Sequence, residues 1–266
     1  MALAITGIPT PDSTPPSVVV TATGIPAGAA SLTVTRLVEG QVGTVRGADK
    51  MAVLGATGGL TDWEAPFGTP VIYRALAYSA AGAVLEQTQT PELTLDVDVM
   101  WISDPLAPGI STPCRGVKSP ESFATMNYEV QSALSPIEGA ELPILMTGLR
   151  RAASSVPLII IAKDAAEAAP IRQVLRYAQP FQLRLPDRWQ VPLPKMSYAF
   201  AESVSDNLFG GGTPGRSHIT LTFSLVAPPA ASVIIPSRSY ATLLTEAPTY
   251  GDLPGLYASY LAMVRG

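Results

Sequence analysis

The 266-residue chain has few of the side chains on which nucleophilic catalysis and metal binding depend. It contains one histidine, His218, and one cysteine, Cys114. One cysteine cannot form an internal disulfide, and with one His and one Cys no Ser-His-Asp or Cys-His triad has a spare member. His218 opens a predicted strand beside Thr220 and Thr222, so we interpret it as a strand residue facing solvent. The sequence therefore predicts a protein that is not an enzyme, and it favours intracellular assembly.

Charged residues are also scarce. They make up 14% of the chain, against about 25% in a typical globular protein. Neighbouring subunits that cover much of the surface would explain why it carries so little charge. The alternative explanation is that the chain is a β-protein whose surface is rich in Thr and Ser. The formal net charge of −4 gives no reason to expect a nucleic-acid partner.

One basic patch is denser than the rest, but Asp164, Glu167 and Asp187 interrupt it, so we interpret it as a solvated or inter-subunit face. The patch comprises Arg150, Arg151, Lys163, Arg172, Arg176, Arg184 and Arg188.

Long apolar runs are missing as well. The longest, Val156 to Ala162, has seven residues, whereas a helix needs about 20 to span a bilayer. The first nine residues lack the basic region of a secretion signal. We therefore expect no membrane insertion.

Acidic pairs and glycine-rich segments provide no convincing ligand site. We interpret the pairs Asp62/Glu64, Asp96/Asp98 and Glu138/Glu141 as surface charge or linker, since a glycosidase needs two carboxylates facing each other across a cleft. Asp96 and Asp98 supply too few ligands for calcium. The glycines at 210–212 lack the Lys-Ser/Thr of a phosphate-binding loop. No cofactor and no metal site are predicted.

Alternating apolar and polar residues predict strands from Ile5 to about Asp96. Leu32 and Val34 face one way, and Thr33 and Thr35 the other. The segment from Trp63 to Tyr78 looks like the late strands of a fibronectin type III-like domain, in which a Pro/Gly turn leads into a strand with an inward tyrosine. We predict a fibronectin type III or immunoglobulin-like β-sandwich over residues 1–97.

A passage rich in proline and glycine, from Asp96 to Gly109, marks the predicted domain boundary near residue 97. We expect it to be a connection out of the first sandwich. Beyond it we predict a second β-rich domain over residues 98–230. Its expected short strands lie at 142–147, 158–162 and 181–185.

One helix is indicated near residues 165–178. Asp164 and Glu167 resemble a capping box, and an apolar stripe follows at Ile171, Val174 and Leu175. A proline deep inside a helix removes a backbone hydrogen bond, so we expect the regular helix to begin at Pro170.

The clearest strands lie at 195–203 and 218–226, where apolar and polar residues alternate. They should pair as a half-buried antiparallel ladder. The glycine-rich segment from Asp206 to Arg216 is too long for a tight turn, so it predicts a projecting, mobile loop.

The C-terminal segment repeats one pattern three times, at ten-residue steps. A hydroxyl residue precedes a tyrosine and an aliphatic residue three positions later, which is typical of a helical turn with an apolar face. We predict a short helical arm over residues 231–266 that docks on a neighbouring subunit or folds back on its own domain. A sugar-binding platform is disfavoured because tyrosines alternate with aliphatic residues. The predicted assembly residues are Tyr240, Leu243, Tyr250, Leu253, Tyr260 and Met263.

The predicted fold class is therefore mainly β. It comprises two β-sandwich-like domains, the second with one short α-helix, followed by the short helical C-terminal arm.

Over roughly residues 98–266, the order of motifs resembles minor tail proteins of siphophages that infect actinobacteria. The motifs are Pro143–Gly148, the helix, Phe181–Pro186, the strand ending at Pro228, and the tyrosine repeats. Proteins of this kind are similar to distal tail proteins, which form rings joining the tail tube to the tip complex.

This resemblance implies a structural virion protein that is assembled in the host cytoplasm and works as a hexameric or trimeric ring in the tail tip. The implied partners are further copies of the chain and other tail proteins: the tail tube, the tape measure and the tip or hub proteins. The N-terminal sandwich would be a decorating or adhesive module. The alternative function is an adhesin that binds a host-surface glycan or receptor. A cell-wall hydrolase is disfavoured by the shortage of histidine.

Overall fold

The computed structural model describes residues 2–53, 55–128, 130–135, 144–150, 152–208 and 216–230. These residues are mainly β with one helix, which confirms the expected fold class. The predicted arm at 231–266, with its six assembly residues, lies outside the described residues, as do Glu138, Glu141 and the glycines at 210–212.

Two antiparallel sheets form the first domain. One has the strand order β1-β2-β6, and the other has the order β4-β3-β7-β8 with β5 paired to β3. The strands are β1 Ala4–Thr10, β2 Ser17–Thr23, β3 Ala29–Val38, β4 Gln41–Thr44, β5 Met51–Ala52, β6 Thr57–Asp62, β7 Val71–Ser79 and β8 Val84–Gln89.

Alternation along β3 and β7 sets the core of the first domain. Leu32 and Val34 are fully buried between the sheets, and Tyr73 points inward. Each aliphatic side chain buried in this way contributes about 1.5–3 kcal/mol. Successive residues of β7 switch between buried and half-buried, because side chains on a strand point to opposite faces.

A seven-stranded antiparallel sheet with the order β10-β9-β15-β16-β17-β14-β11 forms the centre of the second domain, and β12 and β13 pair separately. One face of this sheet packs against the helix α1. The elements are β9 Met100–Asp104, β10 Ala107–Cys114, β11 Gly116–Val117, β12 Val130–Ser135, β13 Ile144–Arg150, β14 Val156–Ala162, α1 Ala165–Tyr177, β15 Phe181–Arg184, β16 Met196–Leu208 and β17 Ser217–Val226.

The helix α1 begins at Ala165, so the expectation that it starts at Pro170 is wrong. The Asp164 side chain accepts the N–H of Glu167 at 2.8 Å, and the Glu167 carboxylate accepts the N–H of Lys163 at 2.9 Å. These contacts stabilise the first turn, whereas Pro170 removes a single backbone bond. The predicted stripe of Ile171, Val174 and Leu175 is buried against the sheet.

The predicted antiparallel pairing of β16 with β17 is confirmed, with a bulge between Ala201 and Ser203. β16 is longer than expected, because Asp206, Asn207 and Leu208 continue the ladder instead of starting a loop. Asp206 is held in place by an ion pair with Arg172 of α1. Residues 209–215 of the predicted loop lie outside the described residues.

The passage from Asp96 to Gly109 is not only the connection between the domains that the sequence predicts, because part of it belongs to the large sheet. Its second half forms β9 and the start of β10, a hairpin within the large sheet. Met100 and Ile102 enter the core of the second domain, while Trp101 packs into the core of the first. One strand therefore supplies both cores, because its neighbouring side chains point in opposite directions.

Candidate functional site at the domain joint

Loops at one end of the first sandwich meet the face of the large sheet that lies opposite α1. The main-chain segments at Pro16 and at 63–68 contact β15, and Trp101 of β9 packs into the first core. We call this region the domain joint. Its buried ionisable residues are Arg36, Arg46, Asp62, Glu64, Tyr73, Arg184 and Tyr198.

Asp62, the last residue of β6, is the most heavily bonded carboxylate of the domain joint. The Nη1 of Arg36 lies 2.7 Å from its Oδ1 and 2.6 Å from its Oδ2. The Tyr73 hydroxyl donates to Oδ2 at 2.7 Å, and the Glu64 N–H donates to Oδ1 at 2.9 Å. Three neighbouring elements thus converge on one buried anion, as a buried charge requires.

Burial and the Asp62 charge both act on the neighbouring groups. Burial raises the pKa of the Tyr73 hydroxyl, and the negative charge of Asp62 raises it further. Burial by itself would lower the pKa of the Arg36 guanidinium, but the Asp62 carboxylate outweighs that effect and raises this pKa. Tyr73 therefore stays neutral and Arg36 stays charged.

Glu64 forms the second buried ion pair. The Nε of Arg46 lies 2.6 Å from its Oε1, and Tyr198 of β16 is a neighbour of this carboxylate. Burial, followed by the Glu64 charge, raises the pKa of Tyr198. Tyr198 of the second domain therefore stays neutral beside the Glu64 carboxylate of the first domain.

Arg184 of β15 is the least accessible charged residue, with no exposed surface. Its Nη1 donates to the Pro16 carbonyl at 2.8 Å, and its Cζ lies 4.5 Å from the centre of the Phe67 ring. Its Nε and Nη2 have no hydrogen-bond partner among the described residues. Burial lowers the pKa of Arg184 to about 9, although Asp62 and Glu64 oppose the shift.

Further contacts join the domains around these charges. Arg46 donates to the carbonyls of Pro229 at 3.2 Å and Ala230 at 2.7 Å, so the chain returns to the first domain after β17. Gln182 reaches the Trp63 carbonyl at 3.4 Å. Gly68, with φ of +64°, lies so close to Asp187 that a Cβ there would overlap the Cβ of Asp187.

Two interpretations of the sequence are corrected here. Asp62 and Glu64 are not surface charge or linker; both are buried and paired with arginines. Arg184 does not belong to a solvated face, because the first domain covers its side of the sheet. In the sequence, Gln182 and Arg184 alternate with the apolar residues Phe181 and Leu183. This pattern shows that one side of the strand is polar, but a polar side can face either solvent or an interface.

The domain joint holds charge in place and offers little to proton transfer. A general acid or base needs a pKa near the working pH, but burial moves the pKa of Tyr73 and of Tyr198 upward, away from neutrality. Both carboxylates are engaged by arginines. The arrangement is therefore suited to fixing two domains against each other.

The remaining candidate residues lie apart from the domain joint. Cys114 is buried in the second core, and burial raises the pKa of its thiol. His218 lies on β17 and is half-exposed, on the same side as Thr220 and Thr222. Asp96 and Asp98 are exposed, and the described part of the chain contains no group of three His, Cys, Asp or Glu placed to hold a metal ion.

No helix in the described ranges is long and apolar enough to cross a membrane. No protein-family model matches the chain, and no curated protein is significantly similar to it in sequence.

Proposed function

We propose that this protein is a non-enzymatic structural component of a siphophage tail tip, of the distal tail or minor tail type. It forms a symmetric ring, a hexamer or a trimer, that connects the tail tube to the tip complex. It is assembled in the host cytoplasm, becomes part of the virion, and contacts the tail tube, tape measure and hub proteins.

The domain joint is the observation that carries this proposal. A subunit of a closed ring must keep a fixed angle between its domains, because every copy repeats the same contact. In the domain joint, the buried Arg184 would lose its Pro16 acceptor, and Arg46 would lose the carbonyls of Pro229 and Ala230, if the domains separated. These contacts favour a rigid block over a pair of flexibly tethered modules.

Edge strands with exposed aliphatic side chains support assembly. Ile8 on β1 is 60% exposed and Leu85 on β8 is 45% exposed, and both strands lie at the edge of a sheet. An unpaired apolar edge promotes unwanted association in a monomer. In a closed ring, a neighbouring copy would cover such an edge.

Sedimentation velocity over a wide concentration range tests the proposal. We expect a species whose mass is three or six times 27.8 kDa. Leu85→Lys and Ile8→Lys should weaken it, whereas Tyr177→Lys, on an exposed position of α1, should not. A wild-type protein that remains a monomer at every concentration would contradict the ring.

A further inference from the structure

The outer face of the sheet β4-β3-β7-β8 presents exposed and half-buried side chains along β7 and β8, whereas Thr33 on β3 is buried and accepts the N–H of Lys50. The inner face packs on the first core, and the second domain contacts the end of the sandwich. We call the outward side the outer sheet face. Strand alternation and register assign to it Thr33, Thr35, Leu37, Val42, Thr44, Ile72, Arg74, Leu76, Tyr78, Val84, Gln87 and Gln89.

Arg74 is the single charged residue at these positions, and no carboxylate is among them. Arg74 is half-buried and forms no ion pair with a described residue. Arg36 on the other side of the same sheet is, by contrast, fully engaged by Asp62. The outer sheet face therefore offers an uncompensated positive charge on a rigid strand.

A shallow depression of about 240 Å³ that is open to solvent is lined by Arg74, Gln87 and Gln89 of this face and by Thr88, which alternation places on the other side of the edge strand β8. Gln89 is directly opposite Arg74 in the strand register, and Gln87 lies two residues along β8. The two exposed amides can donate and accept hydrogen bonds, while the guanidinium offers a planar fork of donors that matches a carboxylate.

We infer that the outer sheet face binds an oligosaccharide that carries carboxylate groups, with Arg74 on a carboxylate and Gln87 and Gln89 on hydroxyls. Tyr78 lies four residues from Arg74 on the same strand face, about 13 Å away at the rise of a β-strand. Its half-buried ring can pack against the apolar side of a further sugar unit.

An acidic peptide fits this face less well than a sugar does. A peptide that binds a sheet usually pairs its main chain with an edge strand, whereas Arg74 lies on the inner strand β7 and can reach a ligand only through its side chain. Several amides and hydroxyls around one cation match a ligand that combines a carboxylate with many hydroxyls. This binding does not depend on the proposed ring, because the outer sheet face belongs to one copy.

Isothermal titration calorimetry with the full chain tests the inference. The probes are hexagalacturonate, the neutral hexasaccharide maltohexaose and hexaglutamate. We expect hexagalacturonate to bind best and Arg74→Gln to weaken it about tenfold or more, as the loss of a charge-assisted hydrogen bond would. Gln87→Ala should also weaken it. The matched control is Arg115→Gln, an exposed arginine of the second domain, which should leave binding unchanged.

Three results would overturn the inference: no binding of hexagalacturonate at millimolar concentration, equal losses with Arg74→Gln and Arg115→Gln, or hexaglutamate binding as tightly as the sugar with the same dependence on Arg74. Thermal unfolding of each variant checks that the fold is kept. Sedimentation of the same samples reports the oligomer separately, so failure of sugar binding is distinct from failure of the ring.

Discussion

Asp62 is held by donors from Arg36, Tyr73 and the Glu64 main chain, and its burial makes each of them necessary. Asp62→Asn keeps the shape of the side chain but leaves Arg36 as a buried, unpaired cation. We expect the free energy of unfolding to fall by about 3–5 kcal/mol. Urea unfolding followed by fluorescence measures this loss.

The matched control for this substitution is Asp187→Asn. That carboxylate is 66% exposed and lies 3.5 Å from the Nζ of Lys195. A solvent-exposed pair contributes less than about 1 kcal/mol, so its loss should be small. Equal effects of the two substitutions would show that the Asp62 network does not stabilise the fold.

Cys114 gives a pH-dependent prediction. Burial raises the pKa of its thiol in the folded protein, and the charge of Glu167 adds to the shift. The unfolded thiol ionises near pH 8.5, so above that pH the unfolded state loses a proton that the folded state keeps. The contribution of this thiol to the free energy of unfolding is therefore fully present below about pH 8.5. Above that pH the contribution decreases, by up to about 1.4 kcal/mol per pH unit.

Urea unfolding of the wild type and of Cys114→Ala between pH 7 and 10 checks this prediction. The difference between the two curves should be constant below about pH 8.5 and should then change with the predicted slope. A constant difference across the whole range would mean that the thiol ionises equally in both states.

At the level of elements, the cap of α1 is open to a direct test. Asp164→Ala removes the acceptor of the Glu167 N–H, and we expect a loss of about 1 kcal/mol in unfolding free energy. Asp164→Asn is the matched control, because asparagine caps a helix about as well as aspartate. If alanine were as stable as asparagine, the cap would not be what allows the helix to start before Pro170.

Elements with strong local patterns could be predicted from the sequence. The alternation of β3, β7 and β17 and the capping of α1 are set by neighbouring residues, so they are visible without the fold. The hairpin β9–β10 was missed because Pro105, Pro108 and Gly109 suggested a connection. A hairpin tolerates such residues at its turn and at an edge strand, and β10 is an edge.

The domain joint could not be predicted in the same way. Arg184 contacts Pro16, which is 168 residues away in the chain, and periodicity carries no information about such contacts. A polar side chain on a strand is equally consistent with solvent and with a charged partner. The sequence therefore located the strand that bears Arg184 but assigned its polar side to the wrong environment.

For the whole molecule, the close approach of Gly68 to Asp187 predicts how the domains can be uncoupled. Gly68→Ala would place a methyl group against Asp187 and would also strain a residue at φ of +64°. Gly82→Ala is the matched control, because Gly82 has φ of +82° but nothing within 4 Å of the added carbon. The control isolates backbone strain, which costs about 1–2 kcal/mol.

We expect Gly68→Ala to lose a further 1–3 kcal/mol, about the cost of overpacking, and to broaden or split the calorimetric transition that the two domains share. Small-angle scattering should show a larger radius of gyration for this variant than for Gly82→Ala. Identical calorimetric and scattering curves for the two variants would mean that the domains are not held together at Gly68.

The return of the chain to Arg46 at Pro229 and Ala230 has a consequence for biosynthesis. While the ribosome is still making the second domain, the completed first domain lacks three sets of contacts. These are the packing of Trp101 into its core, the hydrogen bond from Arg184 to Pro16, and the two carbonyls that Arg46 binds. Its end remains open to proteases and chaperones until the segments that supply these contacts have been made. The nascent sandwich can therefore mature only after residues 229 and 230 have emerged.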